Sequence, residues 1–197
     1  VISCGPGYML NVLKEEGYTN VLGLDSVAEK VDYAVARGFN ARTEHGVDYL
    51  ANSDEIYDVI FCEQEINHLT KDEIMMFLEL CWNHLPEDGL FIGHGLNGAN
   101  PITGSEALAQ NFDHFNTFTE YTFRQVLAVN GFGDVQIQPL NNYVFRNNPL
   151  NYIAAAIAFT HTMYWRIMFK LYGKFNKVFT KKLAAVGRKK LTPQSLH

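Results

Sequence analysis

Val1-Ile-Ser-Cys-Gly-Pro-Gly7, followed by Gly23-Leu-Asp25, is the stretch on which the fold turns. Val1–Cys4 reads as the end of a buried strand running into a glycine turn. The chain therefore begins inside a strand, which predicts that residues precede Val1 in the whole protein and that the first strand is truncated. Working outward, Tyr8–Glu16 has helical spacing and Gly17 closes it. Asn20–Asp25 is a short apolar strand. Ser26 is placed to cap a helix to Arg37, closed by Gly38, and a short third strand follows through Ala41. Val47–Asn52 suits a short helix and Tyr57–Cys62 a buried strand. Apolar strands alternating with helices imply an α/β, Rossmann-like, doubly wound and mostly parallel sheet with helices on both faces.

The second half continues the alternation. Thr70-Lys-Asp-Glu73 is a capping box, and Ile74, Phe77, Leu78 and Cys81 line one face of the helix that follows. Leu90–Leu96 is a strand. Asn97–Phe118 reads as a long loop holding Phe112, His114, Phe115 and Phe118, and long loops in compact domains are commonly functional. Thr119 caps a helix carrying Phe123, Val126 and Leu127, and Gly131 ends it. Gly133–Leu140 is a strand, Leu150–Tyr172 a long apolar helix and Val178–Gly187 a last strand. This makes seven strands in one domain over residues 1–197, with a helical insertion or lid at residues 149–175.

In such a sheet, ligands bind outside the carboxyl ends of the strands. Gly5 and Gly7 let backbone approach a ligand, and Pro6 stiffens the turn. Asp25 follows Gly5 by 20 residues, where a carboxylate can accept from a ribose diol. The pair indicates a cofactor containing a nucleoside. A dinucleotide fingerprint wants a third glycine at Leu10, and a phosphate loop wants Gly-Lys-Ser/Thr, which is absent. S-adenosyl-L-methionine, which carries no phosphate, fits what remains. The competing reading is a glycine turn that binds nothing.

The net charge of −5 hides a division. All 21 acidic residues lie in residues 1–134 beside 6 Lys/Arg, whereas residues 135–197 hold 10 Lys/Arg and no Asp or Glu. A basic end of this kind suits an anionic partner, or packs beside the acidic part. Nucleic acid is disfavoured, because base-stacking aromatics are not interleaved with the basic residues and the main domain is acidic. Cys4, Cys62 and Cys81 have no metal or CxxC spacing and read as buried, reduced thiols of a cytoplasmic protein. No window offers 18 uncharged apolar residues, so no spanning helix is expected.

The motifs CGPG and GLD, then YDVIFCEQEINHLTKDEI and LPEDGLFIGHGLNGANP, resemble class I S-adenosylmethionine-dependent methyltransferases over nearly the whole chain. NFDHFNTFTEYTFRQVLAVNGF and the final VFTKKLAAVGRKK are similar to bacterial members associated with capsule and surface-polysaccharide synthesis. The resemblance implies an antiparallel last strand and O-methylation of a sugar or glycan precursor. The implied acceptor is a small molecule or a lipid-linked glycan. His45, or Glu44 beside it, falls where the family contacts adenine. The chain departs from the family at Val1 and Ser3, which replace an acidic residue and a glycine, and at Asn67, Asn111 and Phe115, which replace acidic residues. Ser3 keeps a hydroxyl that can bond the cofactor.

Methyl transfer to a hydroxyl needs alignment and a base that takes the proton. His114, in the aromatic loop, and His68, after the fourth strand, are the candidates; His94 reads as a packed strand residue. Glu63 sits at the cofactor mouth. The expected cofactor-binding set is Ser3, Gly5, Gly7, Asp25, His45 and Glu63, with His114 and His68 catalytic. No metal-ligand spacing is visible. The long helix and its lysines could pack into the core, cover the acceptor site, form a homodimer face, or contact an anionic membrane at the inner face. The alternatives to a methyltransferase are a noncatalytic cofactor-binding relative and a nicotinamide-dependent oxidoreductase.

Overall fold

The computed structural model describes residues 1–140 and 148–190. The elements run α1 (Tyr8–Glu15), β1 (Gly23–Asp25), α2 (Ala28–Ala36), β2 (Ala41–Thr43), α3 (Gly46–Ala51), β3 (Val59–Glu63), a 3-10 turn (Glu65–Asn67), α4 (Lys71–Asn83) and β4 (Leu90–Leu96). After them come α5 (Pro101–Gln110), α6 (Glu120–Val129), β5 (Phe132–Leu140), α7 (Leu150–Leu171) and β6 (Lys182–Lys189). Apart from the beginning of the chain and α5, the order of strands and helices is the one the sequence pattern predicts.

β1 pairs with β2 in parallel, and a second ladder runs β3-β4-β6-β5. Ile2 joins the two, bridging in parallel to Leu24 on one side and Cys62 on the other. The amide of Leu24 donates to Val1 at 2.8 Å and that of Cys4 to Leu24 at 2.9 Å. Opposite, Ile2 donates to Phe61 at 2.7 Å, and Glu63 donates back to Ile2 at 3.0 Å. Ile2 therefore sits where the strand order reverses, the crevice in which open α/β sheets bind ligands. β6 is antiparallel to both β4 and β5, as expected.

The sheet nevertheless has six strands among the described residues, not the expected seven, and is mixed through β6. In place of the expected first strand stands the Ile2 bridge, after which Ser3, at φ 57, turns the backbone out of the extended conformation. Ser26 does not cap α2. Val27 holds that position without a side-chain cap, and its amide bonds instead to Asp25. The long loop after β4 contains α5. Asn100 accepts from the amides of Ile102 and Thr103, both at 3.0 Å, and Pro101 occupies the first turn where its missing N–H costs nothing.

The core forms where Ile2, Leu24, Ile60 and Cys62 meet Phe77, Leu78 and Cys81 of α4, Phe123 and Leu127 of α6, and Phe91 and Leu183 of the sheet. The capping box expected at Thr70 and the cap expected at Thr119 are both present and fix where α4 and α6 begin; at Thr119 the bonding with Thr122 is reciprocal. Buried polar side chains tie the return from α7. Asn97 donates to Val178 at 3.0 Å and Thr180 at 2.9 Å, and Asn100 donates to Phe179 at 2.7 Å. Glu120 accepts from the amides of Lys177 and Val178. α7 itself contributes no buried residue. The core-packing reading of that helix is thus overturned: the buried hydrogen bonds belong to residues 177–180 that follow it, and no residue of the helix is buried.

Candidate active site

The glycine turn and Asp25 are in contact. The amide of Gly5 donates to Asp25 Oδ2 at 2.9 Å, and the amide of Val27 donates to Oδ1, also at 2.9 Å. The carboxylate is buried at 7% exposure, which is tolerable because both oxygens are hydrogen-bonded. Each oxygen keeps acceptor capacity for a further donor. Gly5 has φ 54, and a Cβ there would meet no atom within 4 Å, so the space beside the carboxylate is open. Gly7 plays a different part. At φ 88, a Cβ would fall 2.9 Å from Phe39 and 3.3 Å from Ala34, so this glycine lets the start of α1 pack on the α2 region.

A second cluster flanks the turn. Ser3 Oγ donates to one oxygen of Glu65, and His45 Nε2 lies 2.9 Å from the other. Two predicted site residues are thus joined through Glu65. Its sequence position places it at the cofactor mouth but does not reveal that it links them. The link depends on Gln64, whose φ of 61 turns the chain after β3 and starts the 3-10 turn. Glu63, chosen from the sequence, points instead to His94, with Nε2 to Oε1 at 3.7 Å. His94 is buried in β4, as expected, and its Nδ1 has no hydrogen-bond partner among the described residues.

The same 3-10 turn ends at His68, the start of a third cluster. His68 Nδ1 lies 3.1 Å from Asp113 Oδ2, and the rings of His68 and His114 meet edge-on at 4.6 Å between centroids. His114 Nδ1 lies 2.9 Å from the carbonyl of Ala107 in α5. A carbonyl only accepts, so Nδ1 carries a proton in this bond. Both predicted catalytic histidines are therefore brought together. Asp113 went unremarked in the sequence because the pairing spans 45 residues and Asp113 is 71% exposed.

Asn67 holds these pieces in register. It is fully buried: its amide nitrogen donates to Asn116 at 2.7 Å, its side-chain oxygen accepts from Leu96, and its carbonyl accepts from Phe115 at 2.8 Å. One residue locks the 3-10 turn, β4 and the segment carrying Asp113 and His114. Ligand atoms of His68, Asp113 and His114 all lie within 4.8 Å of one another, so the fold assembles a possible cation set that the sequence spacing does not show.

The cysteines take no part. All three are buried and free, and burial pushes the Cys4 thiol up to about 11 and the Cys62 thiol up to about 12. A cavity of about 400 Å³ lies at the opposite ends of the strands, lined by Leu22, Val59, Ile60 and Leu90, away from these clusters.

The comparisons with known proteins agree with this architecture. Residues 1–89 match a family model described as a methyltransferase domain, a span that holds the glycine turn, Asp25, Glu65 and His68. No curated protein matches the chain. Among solved structures, a SAM-dependent methyltransferase from Archaeoglobus fulgidus superposes with a TM-score of 0.69 at 20% identity, covering 95% of this chain and 84% of that one. Phosphoethanolamine N-methyltransferase 2 of Haemonchus contortus, bound to S-adenosylhomocysteine, gives 0.64 at 12% identity, over 96% of this chain and 48% of that one. The plantazolicin methyltransferase BamL, also bound to S-adenosylhomocysteine, gives 0.59 at 17% identity, over 97% and 76%. The fold is that of the solved S-adenosylmethionine-dependent methyltransferases.

Proposed function

We propose that the protein is an S-adenosylmethionine-dependent methyltransferase acting on a hydroxyl of a sugar or glycan precursor. The observation that carries the reading is the contact between the glycine turn and Asp25 at the point where the strand order reverses. The Gly5 amide orients the carboxylate, whose remaining lone pairs take the ribose hydroxyls. Ser3, Glu65 and His45 hold the adjoining wall. When bound, the cofactor supplies an electrophilic methyl group on a sulfonium.

The chain's part in the reaction is to orient the acceptor and to take its proton. Asp113 accepts from His68 Nδ1–H, which leaves Nε2 as the base and stabilises the imidazolium once the proton has moved. Protons then pass to solvent, because the dyad is open to it. His114 stands edge-on to His68 and helps fix its ring. Phe112 and Phe115, both exposed beside the dyad, offer aromatic faces to an apolar sugar surface. The choice of sugar as acceptor rests on the resemblance of residues 111–132 to polysaccharide-associated methyltransferases.

A second reading follows from the grouping of His68, Asp113 and His114: a divalent cation held there would polarise the hydroxyl as a Lewis acid. Calorimetry with S-adenosylmethionine, S-adenosylhomocysteine and NAD tests the class. Binding of the first two is expected, and binding of NAD alone overturns it. Methyl transfer from labelled cofactor to nucleotide sugars and lipid-linked glycans tests the acceptor. Turnover that survives a chelator supports the histidine base, and turnover that needs added metal supports the cation.

A further inference from the structure

α7 has 22 residues and buries none of them. Its half-buried positions, among them Ala154, Ala158, Trp165 and Phe169, rest on the body of the protein. The opposite side carries Ile153, Ile157, Tyr164, Ile167 and Leu171, each between 56% and 75% exposed. Their spacing of three, four and seven residues makes one continuous apolar stripe along the helix. Tyr172 and Phe175 extend it past the helix end, at 79% and 69% exposed. The helix does not seal against the sheet either: a cleft of about 520 Å³ lies beneath it, lined by Pro139, Ala158, Phe159, Met163 and Phe179.

Charge selects what covers the stripe. Lys170, Lys174, Lys177 and Lys181 lie exposed at the same end, and residues 135–197 contain no Asp or Glu. A second copy pairing in parallel along this helix would set lysine against lysine, and an antiparallel copy would still offer the lysines no carboxylate from its own residues 135–197. An acidic lipid surface provides the opposite charge and an apolar layer together. Among the described residues no helix is long and apolar enough to cross a membrane, which suits a helix that lies in the interface.

We propose that α7, with residues 172–181, is an interfacial docking surface for a membrane rich in anionic phospholipid. The apolar stripe enters the boundary between headgroups and acyl chains, and the lysines meet the phosphates. This inference does not depend on the methyl acceptor, and it fails independently of the cofactor reading.

The test is co-flotation of the full chain with vesicles of phosphatidylcholine, and of phosphatidylcholine with phosphatidylglycerol at about 3:1. Binding is expected only to the anionic vesicles and is expected to weaken as salt rises. Ile157→Glu with Ile167→Glu abolishes it, while S-adenosylmethionine affinity and far-ultraviolet circular dichroism stay unchanged. Lys170→Ala and Lys174→Ala each weaken it about five-fold, the equivalent of about 1 kcal/mol per lysine near the surface. Failure of the folded wild type to float with anionic vesicles overturns the proposal. So does a stable dimer by light scattering that Ile157→Glu dissociates, since a second copy would then be the occupant.

Discussion

Residues 1–89 and α7 follow opposite rules. In the first, nearly every polar group near the crevice has a partner: Asp25 takes two amides, Glu65 takes Ser3 and His45, and Asn67 makes contacts with three other segments. In α7 no side chain is buried, a stripe of apolar side chains faces outward, and the buried hydrogen bonds belong to the segment that follows the helix. The lesson is that precise hydrogen bonding builds the chemistry, whereas non-directional apolar surface is left free to meet whatever covers it. Substitutions in the first region should therefore change binding or turnover, and substitutions in the second should change neither.

The largest effect is expected at His68. His68→Ala should lower kcat about 10²- to 10⁴-fold while leaving cofactor affinity as it is, measured by single-turnover methyl transfer alongside calorimetry. If His68→Ala retains full turnover, His68 is not the base. Next comes Asp25→Ala, which removes a charged acceptor from the turn and from the ribose. Loss of two charge-assisted bonds at about 1.5–3 kcal/mol each should weaken S-adenosylmethionine binding at least about 100-fold. An unchanged affinity would dissolve the contrast between the regions.

Asn67→Ala is expected to cost about 1–3 kcal/mol in chemical denaturation, because it strands the buried amide of Leu96 and the carbonyl of Asn116. Fourth is alkaline stability. Burial raises the thiols of Cys4 and Cys62 above their ordinary value of 9, to about 11 and about 12, and raises that of Cys81 as well. Above pH 9 the unfolded chain releases these protons while the folded chain retains them. Stability is then fully present below pH 9 and falls as pH rises through the folded values, by about 1.4 kcal/mol per thiol per pH unit. Urea titrations of the wild type and Cys62→Ala should show a shallower alkaline slope in the variant. The smallest effect is expected at α7: Ile157→Glu should move stability by no more than about 0.5 kcal/mol, as for other surface changes. A loss of several kcal/mol would mean that the helix is covered within the fold.

Much of the frame could be read from periodicity and caps. The box at Thr70, the Thr119 cap and the strand Leu90–Leu96 appear where the pattern puts them. These signals are local: a cap needs only the amides two and three residues on. α5 was missed although Asn100-Pro101 announces it, because the aromatic residues that follow drew the stretch toward a loop. Ser26 is not the cap because α2 begins one residue later, with Val27 in the cap position and its amide held by Asp25.

By itself the sequence determined the alternation of strands and helices, the glycine turn with its acidic partner, the three buried thiols and the separation of acidic from basic residues. Those follow from local spacing and composition. Only the tertiary structure decided that Glu65 rather than Glu63 joins Ser3 to His45, that Asp113 pairs with His68, and that α7 lies outside the core. Each of these depends on where a left-handed residue such as Gln64 aims the chain, or on contacts spanning tens of residues, and neither leaves a periodic trace.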